Sequence, residues 1–155
     1  MKFEHLIEIN DPLNPLIDPL THRQLWQGLL KFVEQPTEFV LGLDRCVVTA
    51  RGDNWLAREL HYGSVRVLDH VVLEPPQQVH YSTKPSAELP AGALTITIEA
   101  PDDVRLFMRF VYETFPQGHQ IAPAEFQEVM KQAYRDAGID IVKQIRDYAA
   151  EGKLM

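Results

Sequence analysis

The sequence is short of almost every pattern that would name a reaction. Cys46 is the only cysteine among 155 residues, which excludes an intrachain disulfide and any metal cage built from several thiolates. No Gly-x-Ser-x-Gly elbow, P-loop or Gly-x-Gly-x-x-Gly fingerprint occurs, which argues against the common serine-hydrolase and nucleotide chemistries. The six histidines (His5, His22, His61, His70, His80 and His119) are scattered, without the i, i+4 spacing and glutamate of a zinc hydrolase. No cofactor or metal is expected. Cations are also scarce. Fifteen Lys and Arg face 22 Asp and Glu, for a net charge of −7 and a pI near 5.3, a balance that opposes binding to nucleic acid or anionic membranes. No run approaches the ~20 apolar residues of a membrane span. The start, Met1-Lys2-Phe3-Glu4-His5, lacks the apolar core of a signal peptide. The expectation is a cytoplasmic chain without membrane insertion or a nucleic-acid partner.

What is present reads as one domain over residues 1–155, a length that buries roughly 70% of the unfolded surface. At 45% hydrophobic and 24% charged the composition is that of a folded chain. Residues 2–10 alternate as a strand, with Phe3, His5, Ile7 and Ile9 on one face. The connector DPLNPLIDPL follows, and its three prolines exclude regular helix or central strand. Thr21 and Gln24 then stand at capping-box spacing. Leu25, Trp26, Leu29, Leu30 and Val33 make a helical apolar stripe that Pro36 ends.

From Leu43 to Phe115 the period falls to two. Strand segments are expected near 43–51, 55–62, 65–74, 78–84, 92–99 and 104–115. Their breaks are too short for parallel crossovers, so sequential strands are antiparallel neighbours. From Pro123, read as the first helical residue, apolar side chains recur at Phe126, Met130, Ala133, Ala137, Ile141, Ile145 and Tyr148. That is a helix of about 28 residues. Its charged positions, Glu125, Glu128, Lys131, Arg135, Asp136, Lys143, Arg146 and Asp147, read as a solvated face. The predicted class is α+β: a seven-stranded curved antiparallel sheet wrapped around the long C-terminal helix, with a helix between strands 1 and 2. Gly138 in mid-helix reads either as close packing on the sheet or as a bend leaving room for a guest.

One constellation follows from turn chemistry. Gly63-Ser64 suits a two-residue type II′ hairpin turn. Counting outward sets Tyr62 opposite Val65, Leu60 opposite Val67, Arg58 opposite Asp69 and Leu56 opposite Val71, all on the inner face. The opposed charges read either as an ion pair near the sheet edge or as a polar anchor that orients a ligand carbonyl or carboxylate through Arg58. On the anchor reading, replacing Arg58 by Met weakens ligand binding without unfolding the protein. Tyr81 and Tyr112 alternate with the apolar positions of their strands and read as core or as ligand contacts. Leu106, Met108 and Phe110, with Phe126, Met130 and Tyr134, could line the space between the layers. The candidate ligand-binding set is Arg58, Leu60, Asp69, Tyr81, Met108, Phe110, Tyr112, Met130 and Tyr134, with no catalytic residue assigned. Glu59 and His61 fall on the outer face. Cys46 reads as a small buried hydrophobe.

The element order and the segments LTHRQLWQGL (20–29), Pro36 to Phe39, Cys46, RELHYG (58–63) and VVLEPPQQVHYS (71–82) resemble the START-like (SRPBCC), or helix-grip, fold of the birch pollen allergen and the polyketide cyclases. Within it the chain is similar to the AtaL-like subfamily. The resemblance implies a hydrophobic cavity between sheet and C-terminal helix. Plant members carry a glycine-rich loop between strands 2 and 3, where this chain has only Arg51-Gly52-Asp53-Asn54. Three functions stay open. One is binding of a small apolar or aromatic molecule. Another is a polyketide cyclase, aromatase or dehydratase-like activity that uses Arg58, Asp69, Tyr81 and Tyr112. The last is an interaction protein with a filled core.

Overall fold

The computed structural model describes residues 1–87, 89–115 and 123–154, so His119 lies outside the described residues. The order is β1 (Lys2–Asn10), α1 (His22–Glu34), a short 3₁₀ turn (Pro36–Glu38), β2 (Arg45–Arg51), β3 (Trp55–Tyr62), β4 (Val65–Glu74), β5 (Gln78–Thr83), β6 (Ala91–Glu99), β7 (Leu106–Phe115) and α2 (Ala124–Ala150). The seven strands form one antiparallel sheet in the order β1-β7-β6-β5-β4-β3-β2. This is the predicted architecture.

Local chemistry explains the boundaries. The Thr21 hydroxyl accepts from Gln24 N–H and the Gln24 side chain accepts from Thr21 N–H, each at 2.9 Å, so the capping box starts α1. Strand β7 begins two residues later than expected, because the Asp102 carboxylate accepts the backbone N–H groups of Val104 and Arg105 and holds them in a turn. Pro123 sits just before α2 rather than inside it, with ψ 153 in the extended region. The proline-rich connector is closed by Asn10, whose amide exchanges hydrogen bonds with both backbone groups of Leu20.

The core lies between the inner face of the sheet and the two helices. Ile9, Leu25, Leu29, Val33, Val71, Val79, Ile96, Met108, Phe110 and Ile145 are all fully buried. The helices meet at Gly28, where an added Cβ would fall 2.6 Å from Ile145 Cγ2, so only glycine permits this approach. At Gly138 α2 packs on β1 and β7 with room left for a methyl. A Cβ there would lie 3.4 Å from Ile7 Cδ1 and 3.5 Å from Phe110 Cε1. α2 runs unbroken through this position, which supports the packing reading of Gly138.

The inner stripe of α2 differs from expectation in its first half. Ile141, Ile145 and Tyr148 are buried, joined by Gly138 and Val142, but Ala133 and Ala137 are exposed and Phe126 is 54% exposed. Tyr134 takes the inward position instead, stacked on Tyr112, because an aromatic ring covers far more apolar surface than an alanine methyl. The supposed solvated face is also partly engaged. Arg135 lies over the Phe3 ring at 4.9 Å, and Arg146 donates to the backbone oxygens of Ile9 and Asp18.

Candidate functional site

The hairpin of β3 and β4 has the predicted register at every position, including Arg58 opposite Asp69. Gly63 has φ 61 and, among the described residues, no non-glycine residue has positive φ, which fits the type II′ turn and excludes type I′. The ion pair is buried, with both side chains 4% exposed, on the two strands next in from edge strand β2. Arg58 Nε donates to Asp69 Oδ1 at 2.9 Å, and Nη2 donates to Oδ2 at 2.5 Å. Its Nη1 donates to the carbonyl of Val33 at 2.8 Å. That carbonyl belongs to the last turn of α1, where no intrahelical partner exists. Arg58 is therefore a strut joining β3, β4 and the end of α1. Burial disfavours its cation, but the hydrogen bond and charge of Asp69 outweigh burial and raise its pKa above the usual value. On this geometry, loss of the Arg58 guanidinium would strand a buried carboxylate, which argues against the expected tolerance of a methionine there.

Beside this strut, inner-facing residues form a row across four strands. Phe3 is opposite Tyr112, Tyr112 opposite Leu94, and Leu94 opposite Tyr81. The Tyr112 and Tyr134 rings stack at 4.2 Å with 10° between their planes. At the other end of the row, Tyr81 packs against Phe32 at 6.1 Å, and the Arg58 guanidinium carbon lies 5.5 Å from its ring centroid. Burial pushes both phenols above their usual pKa. The charge of Arg58 opposes this at Tyr81, and Tyr134 adds to it at Tyr112. The Tyr81 hydroxyl is shut off from water and has no hydrogen-bond partner.

The inner face is closed at one end and open at the other. Met108 and Phe110 were expected to border a ligand. Both have no exposed surface and pack within the core cluster. Toward the β3–β4 turn and the start of α2, Tyr62, Val65, Val67, Leu94, Met130 and Tyr134 are only half-buried. Leu60, at 7% exposure, lies between these zones. Three surface pockets of described residues lie elsewhere. The largest of these, about 740 Å³, is formed by the proline-rich connector and the β6–β7 turn. None of the nine candidate residues borders them.

Two residues beside the site, Phe32 and Leu94, escaped the sequence reading. Phe32 lies three positions after Leu29, so helical spacing alone could have found it. Leu94 continues the alternation of Ile96 and Ile98. Cys46, opposite Leu60, faces inward and is half-buried, and burial raises its thiol pKa against the pull of Arg58. On the outer face His61 Nε2 approaches Glu59 Oε1 to 2.8 Å but lacks hydrogen-bond alignment. Among the described residues no three His, Cys, Asp or Glu side chains converge as a metal site. No described helix is long and apolar enough to cross a membrane.

The family model of AtaL, described as acetylaranotin biosynthesis cluster protein L, matches residues 7–152. The chain belongs to the AtaL family. Solved structures similar to this AtaL-family chain include the Zhui aromatase/cyclase from Streptomyces sp. R1128, with a TM-score of 0.69 and 11% identity over 96% of this chain and 95% of that one. Ara h 8.0201 has a TM-score of 0.64 and 12% identity over 95% and 98%. Human STARD10 has a TM-score of 0.67 and 11% identity over 96% of this chain and 64% of that one. At such identities the likeness shows the fold, a START-like helix grip, and not the activity. No curated protein matches the chain.

Proposed function

We propose that this AtaL-family chain binds a small apolar or aromatic molecule between the sheet and the first half of α2. The observation that supports it most is the contrast along the inner face. Apolar side chains that should be covered in a filled core, among them Val67, Leu94 and Met130, keep partial access to water. Ligand recesses are mainly apolar with a few placed polar groups, and here those groups are Tyr81, Tyr112 and the Arg58–Asp69 pair. The fold shared with an aromatase/cyclase is compatible with binding followed by ring formation. Two features favour binding alone. Arg58 and Asp69 are engaged with each other, and burial keeps both tyrosines protonated, able to donate but not to accept a proton.

Cys46 makes the test direct, because it is the only thiol and faces the recess. The neutral fluorescent probe N-phenyl-naphthylamine should bind saturably, and its binding should slow alkylation of Cys46. Absence of saturable binding, with Cys46 alkylated at the same rate throughout, would mean a filled core and would overturn the proposal.

A further inference from the structure

Tyr81 is 6% exposed, and its hydroxyl has neither water nor a protein partner. A buried hydroxyl left unpaired lowers stability, because its hydrogen bonds to water are lost on folding and not replaced. Substituting phenylalanine would remove that deficit, so the hydroxyl needs a reason to be there. Its neighbours limit what could complete it. Leu94, directly opposite Tyr81, is half-buried and leads into the recess. Phe32 packs as a wall at 6.1 Å. The cation beside the ring, Arg58, has its charge answered by Asp69 and another donor engaged with Val33. Burial holds the phenol in its neutral form. The polar end of the recess thus presents a neutral hydroxyl next to a balanced ion pair.

Resting on the binding recess proposed above, we infer that Tyr81 is its specificity-determining donor, selecting neutral molecules with a hydrogen-bond acceptor, such as a ketone, over hydrocarbons and carboxylates. A hydrocarbon of the same shape leaves the hydroxyl unpaired. A carboxylate would have to shed its water without a free positive charge at Tyr81 to receive it. The inference differs from an anchor at Arg58, which would favour the carboxylate.

The experiment compares wild type and Tyr81→Phe against three probes: acetylnaphthalene, its isostere isopropylnaphthalene, and naphthoate. Wild type should bind the ketone roughly three- to tenfold more tightly than the hydrocarbon, the range expected of one net hydrogen bond. Tyr81→Phe should erase that preference and leave hydrocarbon binding unchanged. Without ligand, Tyr81→Phe should melt higher than wild type by roughly 2–4 °C, since it sheds an unpaired group. A ketone preference that survives in Tyr81→Phe overturns the inference, as does tightest binding of naphthoate. A lower melting temperature for Tyr81→Phe overturns it as well, since it would assign the hydroxyl a structural role. Failure of wild type to bind even the hydrocarbon overturns the recess itself, and the inference with it.

Discussion

The two halves of α2 face the same sheet and do different work. From Gly138 onward the helix is core: Ile141, Val142, Ile145 and Tyr148 are buried, and Gly28 of α1 lets Ile145 fill the space between the helices. Before Gly138 no residue of the helix is buried. Met130 and Tyr134 are half-covered, and Phe126 and Val129 are 54% and 63% exposed. The sheet beneath follows the same division, with Met108 and Phe110 closed off and Leu94, Val67 and Tyr62 partly open. One half therefore supplies stability and the other leaves space. A site that must admit a guest is drawn from the part of a fold with fewer closed contacts.

The largest expected effect lies at the boundary between the two zones. Replacing Arg58 by Met should cost about 3–5 kcal/mol in urea unfolding, because Asp69 is left charged and buried. The pair Arg58→Met with Asp69→Leu should recover most of it. A mild effect of the single change would place the ion pair in the open zone rather than in the strut.

Next come two truncations that measure the contrast itself. Ile145→Ala should cost about 2–5 kcal/mol by leaving a cavity in the closed half. Met130→Ala should cost less than about 1 kcal/mol, because little burial is lost. Equal costs would mean that both halves are packed alike.

A smaller gain is expected where the halves meet. Gly138→Ala puts a methyl at ordinary contact with Ile7, Phe110 and His5 and should stabilise the helix by up to about 1 kcal/mol. Destabilisation would show that the helix sits closer to the sheet than these distances allow.

The smallest effect concerns pH. His5 Nδ1 faces Gly138, buried and without a partner, and burial, with the Arg135 charge second, lowers its pKa below 6.5. The unfolded chain then takes up the proton at higher pH than the folded one. Stability should fall as pH drops below about 6.5 toward the folded pKa, and His5→Phe should flatten that slope in melting curves. An unchanged slope would remove His5 from the junction.

Much of this was decided by local rules that a sequence carries openly. The Thr21–Gln24 cap, the breaks at prolines and glycines and the change of period set the elements. The Gly63-Ser64 turn placed Arg58 opposite Asp69 because a hairpin's register is counted from its turn. Tertiary structure decided what those residues do. No spacing reveals that the third partner of Arg58 is the Val33 carbonyl, 25 residues away. Periodicity also chose Ala133 and Ala137 for the inner face of α2, because it weighs apolar residues by type. The fold turned inward Tyr134, which the sequence reading offered beside them as a lining residue, because a stack on Tyr112 covers more surface. The open and closed halves of the interior arise from how two layers meet, a property of three dimensions that neither layer's sequence contains alone.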